Sequence, residues 1–223
     1  MAFFTQDYHV FFQELTTNNS KDWFDENRKR YHKIVKIPFE NFVNAIIARV
    51  SAFDEPIEID HKRSVFRINR DIRFSKDKTP YKTNRTAVIS KFGTKDKIYP
   101  GFYVFTGLDK MMIGGGAYFL EKEKLFQVRQ EIAYNMDEFQ SIIDDKAFKS
   151  TFKQVQGDKN KVLPKDFKED AEKQPLLFNK GFYFMKEFKA DSIFQEEEKL
   201  LDTIEKTMKA GKPLNDFLRR AMS

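Results

Sequence analysis

The sequence predicts a single α+β domain in which a largely antiparallel sheet packs against N-terminal and C-terminal helices. Apolar residues recur at helical spacing towards both ends, alternation and a hairpin pattern mark the centre, and no linker-like segment divides the 223 residues. Within one domain, 1–223, we expect a helical part over about 5–53, a sheet-rich centre over about 64–119 and a helical part with one further strand over about 121–221. A chain of this length can bury enough surface to fold without disulfides or a structural metal.

Three helices are predicted in the N-terminal part. The first presents one apolar face, formed by Tyr8, Phe11, Phe12 and Leu15. Ser20 can then cap a second helix, and Pro38 fits the first turn of a third. The second and third helices are alternatively one kinked helix.

The central part begins with an alternating stretch. Residues 66–74 alternate between apolar and polar side chains, which predicts a half-buried strand with Phe66 and Phe74 in the core. Arg70 falls on the apolar face of this strand. Either a bulge around Arg70 turns it outward, or a carboxylate binds it, with Asp71 the nearest in sequence.

Further strands follow this stretch. Residues 76–80 have the composition of a turn, and a strand is predicted over 86–92. Two runs, 102–106 and 111–118, flank a short polar turn and predict a hairpin. One more strand is expected over 182–188.

The C-terminal part is otherwise helical. Helices are predicted over 121–134, 136–143 and 193–208. Gly211 is a reasonable helix stop, and Pro213 would begin a short last helix.

The composition excludes several classes of site. The absence of cysteine rules out thiol catalysis, cysteine zinc sites and iron–sulfur clusters. The histidines, His9, His32 and His61, stand far apart in sequence, so no metal site is predicted, and no cofactor is indicated. No window approaches about 18 uninterrupted apolar residues, so we expect no membrane partner and a cytoplasmic location.

The positive charge is concentrated in one segment. Between His61 and Lys97 there are 12 Lys and Arg residues against three Asp residues, a local balance of +9. The rest of the chain carries 28 basic and 31 acidic residues, a balance of −3. Clustered cations attract anionic ligands, so the segment indicates an anionic partner.

A basic motif over 67–82 contains the candidate anion ligands. They are Arg67, Arg70, Asp71, Arg73, Lys78, Tyr81 and Lys82. The arginines would orient an anion through bidentate hydrogen bonds, the lysines would neutralise it, and Tyr81 would stack on it or donate a hydrogen bond. Asp71 would hold an arginine in place. The aromatic residue also suits single-stranded nucleic acid.

The length of the basic motif limits this hypothesis. In a straight strand Arg67 and Arg73 would lie about 20 Å apart, too far to bind one phosphate. A bulge or a turn could bring Arg73, Lys78 and Lys82 together. Otherwise the motif suits an extended polyanion, or it is a solvated face in which Arg and Asp side chains pair with each other.

Three consecutive glycines, Gly114, Gly115 and Gly116, form a second candidate. No Lys-Ser or Lys-Thr follows them as in a P-loop, and acidic residues begin the next helix, where they would repel a phosphate. The glycines therefore either allow close packing or give a ligand access to the sheet.

Several motifs resemble one known family. They are Trp23-Phe24, Asn27-Arg28, Tyr31, Arg67-Ile68, Arg70-Asp71, Arg73 to Thr83, Gly101-Phe102-Tyr103, Gly114 to Gly116 and Lys212-Pro213-Leu214. With these motifs the chain resembles the domain of unknown function 2461 family over nearly its whole length. The resemblance implies no reaction, because the family is uncharacterised. Many members carry a histidine and an acidic residue where this chain has Phe105 and Gly107, which implies that a family activity depending on those groups is lost here.

The leading hypothesis is a cytoplasmic protein that binds a phosphate-bearing small molecule in a pocket formed by the basic motif, with the three glycines nearby. The second is an enzyme acting on a phosphorylated or nucleotide substrate in that pocket, with Asp71 or Tyr81 as acid or base. The third is a nucleic-acid or protein interaction module with an open basic surface. Binding is ranked before catalysis because no nucleophile with an adjacent base is visible.

Overall fold

The chain adopts an α+β fold, seen here in a computed structural model that describes residues 1–96 and 98–223. Its antiparallel sheet has four strands in the order β1-β2-β3-β4. The strands are β1 (Asn84–Ile89), β2 (Gly101–Gly107), β3 (Lys110–Ala117) and β4 (Phe182–Lys189). The α-helices are α1 (Gln6–Thr17), α2 (Lys21–Glu26), α3 (Arg28–Tyr31), α4 (Ile37–Ser51), α5 (His61–Ser64), α6 (Lys122–Tyr134), α7 (Met136–Asp144), α8 (Lys146–Phe152), α9 (Lys168–Lys173) and α10 (Glu197–Ala221). The predicted fold class is therefore confirmed.

The N-terminal helices follow the predicted pattern. The apolar face of α1 is buried, and the Ser20 hydroxyl accepts a hydrogen bond from the Trp23 backbone N–H at 3.3 Å, as a helix cap does. α3 and α4 are joined without a break by a π-helical segment, His32–Lys36. The predicted alternative of one helix in this region is thus correct from Arg28 to Ser51.

The π-helical segment has a local cause. Pro38 has no backbone N–H, and in a regular helix its ring would collide with the carbonyl of Ile34. A wider turn relieves this conflict, and here the Ile37 N–H reaches back to the His32 carbonyl. The helix continues beyond the irregular turn because Phe39, with the rest of the apolar face of α4, is buried.

The predicted strand over 66–74 is wrong. Among the described residues, two isolated antiparallel bridges join this region to its neighbour, Val65 with Ala87 and Asn69 with Tyr81. Three residues lie between the bridges on one side and five on the other, so a regular ladder cannot form. Phe74 is 95% exposed and takes no part in the core.

The other strand predictions are confirmed with shifted ends. β2 and β3 form the predicted hairpin, and β4 covers the predicted last strand. β1 begins and ends earlier than predicted, which leaves Phe92 outside the sheet and 43% exposed. Val65 forms an isolated bridge to Ala87 of β1, and Gln156 forms one to Tyr183 of β4, so both edge strands gain a further partner.

The C-terminal helix is longer than predicted. α10 runs through Gly211 and Pro213, so the predicted stop and the separate last helix are both wrong. A side chain at Gly211 would overlap the Phe184 ring, which shows that this glycine permits close packing of the helix. The helix continues because its last turns bury Leu214 and Phe217.

The chain forms two compact units. The first comprises Met1–Lys95, Tyr103–Ile113 and Glu187–Glu205 and contains the aromatic residues of α1 and α4. The second comprises Asp96–Phe102, Gly114–Lys186 and Lys206–Ser223 and buries Phe139, Phe148, Phe182, Phe184 and Phe217. The expectation of one domain stays a prediction. Among the described residues no helix is long and apolar enough to cross a bilayer.

Candidate functional site

The first unit contains a polar cavity of about 360 Å³, which we call the cationic cavity. One side is formed by the continuous helix that comprises α3, the π-helical segment and α4. The segments 61–69 and 81–85 form the other side. Its lining residues are Phe24, Arg28, Tyr31, His32, Lys36, Glu40, His61, Lys62, Val65, Phe66, Arg67, Ile68, Asn69, Tyr81 and Arg85.

The helical side presents four polar side chains at intervals of four residues, from Arg28 through His32 and Lys36 to Glu40. A regular helix turns once in about 3.6 residues, so side chains spaced by four drift around its axis. The wider π turn offsets part of this drift. The irregular turn therefore keeps these side chains directed at one cavity, and π turns are frequent at functional sites.

The opposite side is built by the irregular pairing described above. Hydrogen bonds run from the Phe66 N–H to the Thr86 carbonyl at 3.0 Å and from the Lys82 N–H to the Ile68 carbonyl at 2.9 Å. Between these two bonds the paired segments have unequal lengths. Arg67 lies in the shorter segment and Arg85 in the longer one, and both line the cavity.

Arg85 is the most unusual group in the cationic cavity. The residue is only 4% exposed, and its buried Nε atom has no hydrogen-bond partner. Within 1–96 and 98–223, the Arg85 side chain forms neither an ion pair nor a hydrogen bond, and its Cζ atom lies over the Phe39 ring, 5.4 Å from the ring centre. A buried charge is costly unless it is paired, so this guanidinium would gain strongly from an anion.

Arg129 is a second buried arginine among the described residues, and its hydrogen-bond donors are satisfied. Arg129, also 4% exposed, donates to the carbonyls of Leu177 and Asn179 at 2.8 and 3.1 Å. The contrast shows that this fold can provide backbone oxygens that accept hydrogen bonds from a buried guanidinium, and that it provides none at Arg85.

The remaining cations of the cavity differ in their pairing. Arg67 is exposed and, in the part of the chain that the structure describes, has no ion pair. Arg28 is paired with Asp25, and Lys62 Nζ lies 4.0 Å from Asp60. Arg67 and Arg85 are thus the two guanidinium groups of the cavity that form no ion pair with a described carboxylate, although the Arg67 charge still acts on Asp71.

A histidine and a carboxylate face each other at one end of the cavity. His61 Nε2 lies 3.7 Å from Glu40 Oε2. On the other side of the ring, Asn44 Oδ1 accepts the His61 backbone N–H at 3.0 Å, which directs Asn44 Nδ2 to His61 Nδ1, also at 3.0 Å. Asn44 Oδ1 also lies 3.2 Å from His61 Nδ1, so this amide can pair with either tautomer of the ring, and Nε2 faces Glu40 in both.

The Tyr31 hydroxyl adds a donor to the cavity. Burial raises the pKa of this hydroxyl, with the nearby Arg85 charge acting in the opposite direction. The phenol consequently stays protonated at neutral pH and can donate a hydrogen bond to an anion.

A family model described as a conserved hypothetical protein, DUF2461, matches residues 7–217. The chain belongs to the DUF2461 family. The resemblance expected from the motifs is thereby confirmed over nearly the whole chain. A search of curated proteins finds no match.

Several motifs that carried the DUF2461 resemblance meet at the cationic cavity. Phe24, Arg28 and Tyr31 line it from the helical side, and Arg67, Ile68 and Tyr81 line it from the other side. These residues come from three separate stretches of the chain, and the fold brings them to one place. Phe105 and Gly107, the positions at which the sequence suggested a departure from the family pattern, are not among the lining residues.

The rest of the basic motif is occupied with internal contacts. Arg70 is bound by Asp77 and Thr79 rather than by Asp71, so a carboxylate does hold it, but not the nearest one in sequence. The Thr79 backbone N–H, together with the Arg70 guanidinium, holds the pKa of Asp77 at about 2. Arg73 Nη2 donates to Asp71 Oδ2 at 2.7 Å, which keeps the pKa of Asp71 below its ordinary value.

The lysines of the basic motif also bind the chain itself. Lys78 Nζ donates to the Ile72 carbonyl at 2.9 Å, and Lys82 Nζ donates to the Arg67 carbonyl at 3.1 Å. Neither lysine lines the cavity. Of the predicted ligands, the structure brings Arg67 and Tyr81 to the cavity, and it does not bring Arg70, Asp71, Arg73, Lys78 or Lys82 there.

Tyr81 lines the cavity but is not a free stacking platform. It is 6% exposed, and its ring stacks on Phe24 with the ring centres 3.9 Å apart and the planes 15° apart. Asn19 holds its backbone through both its N–H and its carbonyl. The expectation of an open aromatic face is therefore wrong for the side that Phe24 covers.

The three glycines have a packing explanation. A Cβ atom at Gly114 or Gly115 would overlap Phe184, and one at Gly116 would overlap the backbone of Phe182. Gly116 also has a φ of +98°, which other residues rarely adopt. The glycines do not line the cationic cavity, and a ligand role for them stays a prediction.

Proposed function

We propose that this protein binds a phosphate-bearing anion in the cationic cavity, with Arg85 and Arg67 as its principal ligands. The observation that carries the proposal is the buried, unpartnered guanidinium of Arg85. A carboxylate ligand would satisfy one face of such a group, whereas a phosphate offers several oxygens that two guanidinium forks can share.

The surroundings of the two arginines support an anion. Arg28, Lys36 and Lys62 also line the cavity, against a single carboxylate, Glu40. Partly paired cations still raise the local potential and the local concentration of anions. The Tyr31 hydroxyl is a further donor on the same surface.

An enzyme acting on the bound ligand is the second candidate function. The facing His61 and Glu40 side chains favour it, since a histidine and a carboxylate within one ligand cavity can transfer protons. Asp71 is less suited to this role than expected from the sequence, because it is exposed and bound by Arg73.

A nucleic-acid interaction module is less well supported. Arg70, Arg73 and Lys78, which would contact an extended polyanion, are already bound to Asp77, Asp71 and the Ile72 carbonyl. A cytoplasmic location stays a prediction that cell fractionation can test.

Isothermal titration calorimetry with inorganic phosphate tests the proposal on matched variants. We expect Arg67→Ala and Arg85→Met to weaken phosphate binding at least about tenfold, because each removes a charged hydrogen-bond donor. Arg85→Met should stay folded, since the substitution replaces an unpaired buried charge with an apolar chain of similar length.

Arg73→Ala is the control, because Arg73 belongs to the same basic motif but is bound to Asp71 outside the cavity. It should bind phosphate as the wild type does. Equal losses in all three variants would show a diffuse basic surface, and the absence of phosphate binding to the wild type would refute the proposal.

A further inference from the structure

We infer that the ligand of the cationic cavity is a phosphomonoester of a small polyhydroxylated molecule, such as a sugar phosphate, and that Glu40 and His61 bind its hydroxyl groups. This inference rests on the proposed function, because it assumes that Arg67 and Arg85 bind the phosphate. It adds the chemical class of the remainder of the ligand and the residues that recognise it.

The cavity has two chemically different ends. Arg28 and Glu40 are separated by 12 residues of continuous helix, which corresponds to about 18 Å. His61 lies beside Glu40, and Phe24, which stacks on Tyr81, lies beside Arg28. A ligand that fills the cavity must therefore suit a carboxylate and an imidazole as well as the cations.

The unpaired charge is sufficient for one phosphate group. Among the Lys and Arg residues of the cavity that the structure describes, only Arg67 and Arg85 have no carboxylate within ion-pair distance. A second phosphate near the Glu40 end would meet a carboxylate, and the repulsion disfavours a bisphosphate or a nucleic-acid backbone.

Both carboxylate oxygens of Glu40 can accept further hydrogen bonds. Its two oxygens lie 3.9 Å from Lys36 Nζ and 3.7 Å from His61 Nε2, and both distances exceed those of direct hydrogen bonds. The side chain is only 19% exposed, so few waters can satisfy it. Hydroxyl groups suit this position, because a hydroxyl can donate to the carboxylate and can either donate to or accept from His61 Nε2, whichever tautomer the ring adopts.

The aromatic surfaces of the cavity argue against a nucleotide. One face of Phe24 is covered by Tyr81, and Arg28 lies 5.5 Å from the centre of the same ring. Lys82 Nζ lies 5.7 Å from the centre of the Phe66 ring. Stacking on an aromatic ring helps to hold a nucleobase, and these faces of Phe24 and Phe66 are already occupied; the volume of about 360 Å³ is also at the small end for ligand cavities.

Calorimetry with a panel of ligands at constant ionic strength tests the inference. The probes are inorganic phosphate, glycerol 3-phosphate, glucose 6-phosphate, adenosine monophosphate and uncharged glucose. We expect at least one of the two polyol phosphates to bind about tenfold or more tightly than inorganic phosphate, and adenosine monophosphate to gain no such advantage.

Glu40→Gln is the decisive variant, and Glu26→Gln is its control. Glu26 is exposed, does not line the cavity, and undergoes the same change of charge. Glu40→Gln should remove most of the advantage of the polyol phosphate over inorganic phosphate while inorganic phosphate binds at least as well as before. The control should keep the advantage in full.

The outcomes separate the two claims. If inorganic phosphate binds but neither polyol phosphate binds more tightly, or if adenosine monophosphate binds most tightly, the inference is overturned and the proposed function stands. An advantage that Glu40→Gln leaves unchanged also overturns it. If no phosphate compound binds, the proposed function itself fails.

Discussion

At the scale of single residues, the pairing of a cation matters more than its presence in a basic stretch. The basic motif contains several arginines, yet Arg70 and Arg73 are bound by carboxylates of the same motif. Arg85, which lies outside the motif, is the buried one without a partner. The sequence could not distinguish these cases, because Arg–Asp pairing depends on how the chain turns between 70 and 79.

The histidines illustrate the same point. Their wide spacing in sequence gave no reason to join any of them to a site. The structure nevertheless brings His61 to Glu40, 21 residues away, because α5 packs beside α4. Nothing in the sequence of the short helix α5 would have predicted this contact.

His9 provides a test of burial at the residue scale. The residue is 8% exposed, and its ring packs against Phe194. Burial lowers the pKa of His9, whereas the hydrogen bond to the Gly107 carbonyl and the charge of Asp191 act in the opposite direction. The unfolded chain therefore binds the proton more readily than the folded protein does. The free energy of unfolding should fall as the pH drops below about 6.5, the ordinary value for histidine.

Urea denaturation at pH 7 and pH 5 measures this effect. His9→Gln cannot titrate, so it should lose part of the fall in stability that the wild type shows between the two values. His32→Gln, at an exposed position, is the control and should behave as the wild type. A pH dependence of His9→Gln identical to that of the wild type would contradict the account.

At the scale of secondary-structure elements, periodicity predicted most helices and the hairpin correctly because these elements depend on local spacing. It failed for 66–74, where the alternation is present but the partner segment has two more residues between the bridges. A regular ladder requires two paired segments with equal numbers of residues between the bridges. One segment alone does not show whether its partner meets this condition. The resulting irregularity is what allows Arg67 and Arg85 to line one cavity.

The stop predicted at Gly211 failed for a related reason. Glycine ends many helices, but here it lies within α10 and against the Phe184 ring, where a methyl group would not fit. Close packing and a helix end both favour glycine. The sequence alone does not show which of the two applies at Gly211, and the structure does.

Gly211→Ala distinguishes these explanations. In an unhindered helix, alanine would raise the free energy of unfolding by about 1 kcal/mol. We expect instead a net decrease, because forcing a methyl group into a packed contact costs about 1–3 kcal/mol. Thermal and urea denaturation provide the measurement, with Lys206→Ala on the exposed side of α10 as control. A stabilised Gly211→Ala protein would show that the contact is not tight.

At the scale of the whole molecule, the charge distribution agrees with the proposed anionic ligand but did not predict where the cavity lies. The segment from His61 to Lys97 contains Arg67, Tyr81 and Arg85, which line the cavity, although Lys97 itself lies outside the described residues. The other side of the cavity comes from the helix between Arg28 and Glu40. No pattern in the sequence joins these two stretches, because their contact arises from the packing of the first unit.

The motifs that carried the family resemblance are likewise divided between cavity-lining residues and residues with internal contacts. The stretches that carried the DUF2461 resemblance include residues on both sides of the cationic cavity, and other parts of the same stretches bind only the chain itself. A resemblance in sequence thus contains both cavity-lining residues and residues with internal contacts, and the geometry separates the two groups.

The central claim is that Arg85 and Arg67 bind an anion, and the most direct measurement is the NMR spectrum of the arginine Nε–H groups during a titration with inorganic phosphate. The account predicts that the Arg85 and Arg67 signals shift with one common dissociation constant while the Arg73 signal, already bound to Asp71, stays unchanged. Shifts spread over the exposed arginines, with Arg85 unaffected, would contradict it.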